Sequence, residues 1–224
     1  MISIIMPVLN EEKNIEEALK SACQLEGDYE LIVVDGGSID GTQKIAGKYA
    51  KVISARKGRA RQMNAGARIA KGDILLFLHA DCRLSQDSLI KIESALRDRK
   101  VVGGALKFHL DDDSSTFKAI SYISNLRANI SKVYTGDFGI FVRKSAFDLA
   151  GGFSEIELME DICLCKKLKK FGRLVQPDSK IISSPRRMKK HGILKTWIHM
   201  QINRFLFFIG ISPRRFSKFY RDTR

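Results

Sequence analysis

One run constrains the fold of this chain more than any other: Ile74-Leu-Leu-Phe-Leu78, five consecutive apolar residues that stop abruptly at His79-Ala80-Asp81. Bounded by Gly72-Asp73 on its other side, the run reads as a strand buried on both faces, as in the middle of a parallel sheet. In open α/β sheets, ligands bind in the crevice at the C-terminal ends of the strands. A carboxylate there, on a rigid central strand, is placed to hold a hard divalent cation and through it a diphosphate. The competing reading is that Asp81 caps a helix beginning near Ser85-Gln86-Asp87.

The rest of the first hundred residues repeats this rhythm. Ser3 to Leu9 reads as a strand with Pro7 near its end, where a missing ladder donor is tolerable. Asn10 reads as a helix N-cap followed by Glu11 and Glu12, which suit the positive end of a helix dipole. Apolar Ile15, Ala18, Leu19, Ala22 and Cys23 recur at helical spacing. Glu30 to Asp35 is a second strand, broken by Gly36-Gly37-Ser38 before another helix, and Lys51 to Ala55 a third. A helix from Gly58 to Ala70, basic in its first half, leads into the central run. Such β-α alternation with short connections predicts an α/β, doubly wound, mostly parallel Rossmann-like sheet flanked by helices. Beyond residue 100 the rhythm changes. Val101 to Leu110 reads as one longer strand, Phe117 to Ser131 as a helix, Gly139 to Arg143 as a strand, and Glu160 to Phe171 as a helix before a short strand near Leu174-Val175. No linker interrupts the chain before about Ser183, so the expected division is residues 1–183 as one catalytic-type domain and 184–224 as a tail.

Charge separates the two parts further. Residues 1–165 carry 22 Lys/Arg against 23 Asp/Glu, whereas residues 166–224 carry 17 against 2. The first part is balanced like an ordinary soluble enzyme; the second seeks something anionic, such as phospholipid, lipid phosphate or nucleic acid. Met1 to Pro7 lacks the charged start of a signal peptide, and no segment offers the roughly 18 apolar residues of a membrane span. Cys23, Cys82, Cys163 and Cys165 lack zinc spacing and read as reduced thiols of a cytoplasmic protein.

Asp35 ends the second strand as Asp81 ends the fourth, so both should face one crevice. A carboxylate in that place can accept hydrogen bonds from a nucleobase or ribose, although Asp35-Gly-Gly-Ser38 can equally be a plain strand-to-helix turn. A dinucleotide Gly-x-Gly-x-x-Gly motif and a Walker loop are both absent, which disfavours dehydrogenases and P-loop enzymes. Glu160-Asp161 opens a lysine-rich helix. Either residue could simply stabilise the dipole, the default for Glu160, or act as a general base.

These stretches, in this order, resemble glycosyltransferase family 2 and its GT-A fold: Ser3 to Asn10, Val33 to Thr42, Asn64-Ala-Gly-Ala67, Leu76 to Asp81, Gly151-Gly-Phe153 and Glu160-Asp161. The resemblance covers roughly residues 1–175. Gly58-x-Ala-x-Gln62-Met63-Asn64 and the basic C-terminal extension are similar to a bacterial subgroup of small members. The resemblance implies transfer of a sugar from a nucleotide sugar, of UDP type, to a hydroxyl acceptor with inversion. The implied donor site is Pro7, Asn10, Asp35, Gly36, Gly37, Asn64, Ala80 and Asp81, with Asp35 on the base and Asp161 as the catalytic base. Asp81 matches the last aspartate of the family's Asp-x-Asp motif, which carries Mg²⁺ or Mn²⁺. His79 stands where many members have the first aspartate; imidazole suits Mn²⁺ better than Mg²⁺, so the metal is left open. Arg59 or Arg61 could add to neutralising the departing diphosphate, but the expected role for either is surface solvation. Gln201-Ile-Asn-Arg204-Phe205 is similar to the Gln-x-x-Arg-Trp signature of processive members, but Phe replaces Trp and the multi-span region is missing, so it is set aside as coincidence.

In the tail, Ile193 to Ile209 places Leu194, Trp197, Ile198, Ile202, Phe205, Leu206 and Ile209 at helical spacing, with Arg186-Arg187, Lys189-Lys190 and Arg214-Arg215 on its flanks. An aromatic, basic, amphipathic helix can lie in a membrane interface through residues 186–224, peripheral on the inner face of the cell membrane. It can equally pack on the catalytic domain or on a second subunit as a homodimer. The expected acceptor is lipid-linked or a small molecule near the membrane. Two other classes compete. A nucleotidyltransferase shares the fold class but wants a Gly-rich phosphate loop after the first strand. A nucleic-acid or other anionic-ligand module explains the tail but not the acidic strand ends, so no nucleic acid is expected.

Overall fold

The structure is a computed structural model and describes residues 1–213. In chain order the elements begin β1 (Ile2–Val8), α1 (Ile15–Ala22), β2 (Tyr29–Asp35), α2 (Thr42–Ala46), β3 (Lys51–Ser54), α3 (Arg59–Ile69), β4 (Ile74–Phe77), β5 (Cys82–Leu84) and α4 (Ser88–Ala95). There follow β6 (Val101–Ala105), β7 (Lys107–Leu110), α5 (Ser115–Ser131), a 3-10 turn (Gly136–Phe138), β8 (Ile140–Arg143) and α6 (Lys144–Leu149). The remainder is α7 (Glu160–Leu168), β9 (Arg173–Val175), β10 (Lys180–Ser183), α8 (Arg186–His191) and α9 (Ile193–Phe208).

Seven strands form the main sheet in the order β3-β2-β1-β4-β8-β6-β9. Strands β3, β2, β1 and β4 pair parallel, and β8 alone runs against its neighbours β4 and β6. The period-two alternation of a strand explains why the inner runs are apolar throughout. In β1, Ile5 joins the core layer that holds Met63 and Ala67 of α3. Its neighbours Ile4 and Met6 join the opposite layer, with Ile15, Leu19 and Ala22 of α1. Close packing of α3 depends on one small residue: a Cβ on Gly66 would stand 2.4 Å from Ile5 Cγ2.

Several expectations are corrected. Val101 to Leu110 is not one strand: it breaks at Leu106, with β6 in the main sheet and β7 in a small sheet of order β5-β10-β7. Strand β5 directly follows Asp81, so Asp81 caps no helix; α4 begins after Asp87. Asn10 is not an N-cap either. It adopts φ 54°, and α1 begins only at Ile15, after Asn14. All four cysteines are free thiols, with Cys82 and Cys165 buried, Cys163 intermediate and Cys23 exposed.

The tail is neither a free arm nor wholly a surface helix. Met188 of α8 packs with Phe117 and Ile120 of α5, and Ile193, Trp197 and Met200 join that cluster. Further along, Leu206, Phe207 and Ile211 pack on the main core. Trp197 therefore faces inward, which removes it from any outer apolar face. Leu194, Ile198, Ile202, Phe205, Phe208 and Ile209 stay exposed on the other side. No helix among the described residues is long and apolar enough to cross a membrane. Arg214, Arg215 and the aromatic residues after them lie outside the described residues.

Candidate functional site

The parallel register brings Asp35 and the His79-Ala80-Asp81 turn to the same edge of the sheet, one on each side of β1. Pro7 pairs with Val34 and lies beyond the last β1 residue registered with β4, where a missing N–H costs the ladder least. Asp35 is fully buried, and its carboxylate gathers the loop that follows. It accepts from Gly37 N at 2.8 Å, Ser38 N at 3.0 Å and Gln43 Nε2 at 2.7 Å. Burial pushes this carboxyl up, but the bonds from Ser38, Gly37 and Gln43 outweigh it and hold it below the usual range. Gly37 takes φ +93°, the left-handed region that glycine tolerates. Asn10 secures the same loop: its N–H donates to Ser38 Oγ at 2.9 Å and its Oδ1 accepts from Ile39 N at 2.9 Å.

Behind this loop stands Gln62, a residue that the sequence motif contained but to which no role was given. It is buried, and its Nε2 donates to the carbonyls of Val8 and Val34, both at 2.8 Å. A Cβ on Gly36 would stand 3.0 Å from Gln62 Oε1. The end of β1, the end of β2 and the start of α3 are thereby fixed together. Asn64, expected at the donor, spends both polar ends elsewhere. Its Nδ2 donates to Phe153 O and its Oδ1 accepts from Phe153 N, each at 2.9 Å, clamping the Gly151-Gly152-Phe153 turn.

Across the sheet edge, Asp81 is partly exposed, Ala80 is buried beneath it, and Arg186 of α8 approaches. The Arg186 guanidinium lies 3.8 Å from Asp81 Oδ2 and 3.3 Å from Glu11 Oε2. A cation thus sits beside this carboxylate. Among the described residues no three His, Cys, Asp or Glu side chains converge to hold a metal by themselves. Asp81 with substrate phosphates and water still matches the usual small ligand set of Mg²⁺ or Mn²⁺.

His79, close to Asp81 in sequence, lies against a neighbouring turn. Its ring packs on Gly136, where a Cβ would stand 2.5 Å from the imidazole, and its Nδ1 lies 3.7 Å from Asp137 Oδ1. Burial, aided by the Arg59 cation, pushes this imidazole below its usual range against the pull of Asp137, Asp81 and Glu160. His79 thus wedges the end of β4 against the turn that holds Asp161.

Asp161 opens α7 after Met159, which takes φ 70°. It is nine-tenths buried and accepts from Gly136 N at 2.8 Å and Ile162 N at 2.7 Å. Burial, then the neighbouring Glu160 charge, raise its carboxyl to about 7 against the opposing pull of those bonds and of Arg59. A carboxylate so tuned is suited to take a proton near neutral pH. Glu160 is more than a dipole stabiliser: it is buried and lies 3.9 Å from Arg59 Nη1. Arg59 is correspondingly drawn into the site, whereas Arg61 pairs with Glu155 at 2.8 Å on the surface, as expected of it.

Arg59, Thr135, Asp137, Glu160 and Asp161 line a narrow cleft whose other wall is α9, through Met200, Asn203 and Arg204. Setting the Gln201–Phe205 stretch aside therefore missed two residues of the site. The available signal was the unusual content of the helix, an Asn-Arg pair amid apolar residues.

A model of the family described as "Glycosyl transferase family 2" matches residues 3–153. A glycosyltransferase of Haloferax volcanii is 29% identical over 168 residues, 68% of this chain and 55% of that protein. An undecaprenyl-phosphate 4-deoxy-4-formamido-L-arabinose transferase of Proteus mirabilis is 26% identical over 155 residues, 63% of this chain and 48% of its own. The chain thus spans about half the length of these curated relatives. Among solved structures, a Pyrobaculum calidifontis mannosyltransferase in complex with GDP-Man and Mn²⁺ superposes with TM-score 0.66 at 22% identity, covering 81% of this chain and 56% of that one. S. aureus TarS 1-349 in complex with UDP-GlcNAc gives TM-score 0.63 at 20% identity, covering 82% and 58%. At these identities the likeness is one of fold, the GT-A arrangement.

Proposed function

The chain belongs to glycosyl transferase family 2, and on that premise we propose that it moves a sugar from a nucleoside-diphosphate sugar to an acceptor hydroxyl with inversion. The observation that carries this reading is the Asp161 carboxyl, buried, raised to about 7 and open to the cleft. In the proposed reaction Asp161 takes the hydroxyl proton as the acceptor oxygen attacks the anomeric carbon. The bond from that carbon to the diphosphate oxygen breaks, and the nucleoside diphosphate leaves with the bonding pair. Asp81 would hold Mn²⁺ or Mg²⁺, which when bound neutralises charge on the diphosphate. We assign the metal to Asp81 and give His79 a positioning role, because its ring packs on Gly136 and its Nδ1 faces Asp137. Arg59 adds positive charge near the leaving group and balances Glu160.

Asp35, with Pro7, Asn10, Gly36 and Gly37, forms the proposed base-binding loop. Asn64 supports the site by holding the Phe153 turn. A UDP-type donor is supported by the UDP-GlcNAc complex of a structure with the same fold, and Mn²⁺ by the GDP-Man complex of another. The undecaprenyl-phosphate specificity in the name of the Proteus relative supports a lipid-linked acceptor, as does the exposed apolar side of α9 beside basic α8. The enzyme would then work peripherally on an anionic membrane.

Thermal-shift titration with UDP, Mn²⁺ and Mg²⁺ tests the donor half. A nucleotide at a hundred times its dissociation constant adds about 2.7 kcal/mol of stability. Metal-dependent stabilisation by UDP that vanishes in Asp81→Asn is the expected result. If no nucleoside diphosphate stabilises the wild type with either metal, the reading fails.

A further inference from the structure

The inner face of α9 carries polar atoms that the fold does not satisfy. Thr196 and Asn203 are 6% and 2% exposed. Thr196 Oγ1, Trp197 Nε1 and Asn203 Nδ2 have no hydrogen-bond partner among the described residues. The same holds for Nε and Nη2 of Arg127 on α5, whose remaining nitrogen donates to Val133 O at 3.1 Å. Buried polar groups are nearly always paired, and one left unpaired is destabilising. Asn203 lines the cleft that Asp161 faces, so its unpaired donor stands at the candidate site.

The chemistry of the cluster is one-sided. Indole Nε1, carboxamide Nδ2 and guanidinium nitrogens donate and never accept; only the threonine hydroxyl does both. Their missing partner must bring acceptor oxygens. Charge points the same way. Burial, then the nearby Arg204 cation, depress the Arg127 guanidinium to about 10, so the two arginines repel each other inside the protein. Asp161 and Asp137 pull the Arg127 value the other way. An anion held between Asn203 and Arg127 would satisfy the unpaired donors of these two residues and offset the positive charge beside them.

We propose that Asn203, with Arg204 and Arg127, forms an acceptor subsite that binds a phosphate group carried by the acceptor, beside the hydroxyl presented to Asp161. The acceptor role rests on the reading of Asp161 as the base; the phosphate site rests on the donors alone. Asn203 lines the cleft together with Asp161, which gives the subsite its place. The step itself is unchanged: the hydroxyl oxygen attacks, and the phosphate only anchors the acceptor.

The single tryptophan, Trp197, is on the same helix as Asn203 and shares an apolar cluster with Met200, which lines the cleft. The full chain is titrated with sn-glycerol 3-phosphate, inorganic phosphate and glycerol while Trp197 emission is followed. Saturable binding of glycerol 3-phosphate, tighter than inorganic phosphate and absent for glycerol, is the expected outcome. Asn203→Leu should raise its dissociation constant at least tenfold and leave the UDP–Mn²⁺ thermal shift untouched. That variant also removes an unsatisfied buried donor, so it should melt no lower than wild type. Wild-type affinity in Asn203→Leu, a clearly lower melting temperature for it, or no saturable signal in the wild type overturns the proposal. Inorganic phosphate binding as tightly as the ester overturns the acceptor assignment. If glycerol 3-phosphate binds through Asn203 while no UDP–Mn²⁺ shift is found, the phosphate site stands and the glycosyltransferase reading falls.

Discussion

The backbone N–H of Gly136 donates to the Asp161 carboxylate at 2.8 Å, while the other side of Gly136 receives the His79 ring. Through this one residue the end of the central strand sets the position of the proposed base at the start of α7. A side chain at residue 136 would push His79 away, so Gly136→Ala should lower turnover without touching donor affinity. Steady-state kinetics that separate kcat from the donor KM make the comparison; a raised donor KM with unchanged kcat would be the contrary result.

Asp161→Asn keeps the shape of the proposed base but not its ability to take a proton. Turnover is expected to fall by about a hundredfold or more, as for a lost general base, with the UDP–Mn²⁺ shift retained. In the wild type the rate should rise with pH through about 7 as Asp161 loses its proton. Glu160→Gln should cost less in rate, and it should move that pH profile downward because the Glu160 charge is one cause of the raised value.

The same group makes stability depend on pH. Its folded-state value, about 7, lies above the ordinary 3.8, so the folded protein holds a proton that the unfolded chain releases. Stability from this group is full below pH 3.8 and is lost progressively as pH rises through about 7. Urea unfolding from pH 5 to pH 8 should show a decline in the wild type and a flatter trace in Asp161→Asn. Parallel traces would mean that Asp161 titrates normally.

Much of this architecture is legible in the sequence because central strands of a parallel sheet are apolar on both faces. Ile4, Ile5, Val33, Val34, Leu75 and Leu76 announce themselves, and the acids that end β2 and β4 stand out against them. Asn10 misleads because an asparagine before two glutamates imitates an N-cap, while its bonds run to Ser38 and Ile39 in a distant loop. The strand through Leu106 misleads because a change of sheet leaves the apolar pattern intact. Asn203 and Arg204 are missed for a different reason. Amphipathicity says that a helix has an inner face, not that the face meets a cleft on another domain layer.

Asn64 offers a test of support without chemistry. Its two bonds fix Phe153, whose ring packs edge-on to Phe77 at 4.8 Å. Asn64→Ala leaves two backbone groups of a buried residue unpaired, for an expected loss of about 1–3 kcal/mol. Denaturant melts should show an earlier midpoint with unchanged slope. A variant as stable as wild type would return Asn64 to the donor site.

The final prediction concerns the outer side of the tail. On α9, Leu194, Ile198, Ile202, Phe205 and Phe208 recur at helical spacing and are 43–65% exposed. On α5, which packs against α9, Tyr122, Ile123, Leu126 and Ile130 are exposed too. Helix α5 thus adds exposed apolar residues to those on α9. Basic residues near the surface add about 1 kcal/mol each toward anionic lipid and fade with salt. Full burial of an apolar side chain adds about 1.5–3 kcal/mol and does not fade, so half-exposed ones add roughly half of that. Sedimentation with anionic vesicles should thus show binding that high salt reduces but does not abolish. Phe205→Glu and Leu126→Glu, on different helices, should each remove the salt-resistant part and spare the salt-sensitive part. Because Trp197 already packs on α5, its emission should change little when vesicles bind, in contrast to an anchor residue entering lipid. Loss of salt resistance in Phe205→Glu alone would confine the membrane contact to the tail, and vesicle binding untouched by both variants would leave the exposed stripe to another copy of the chain.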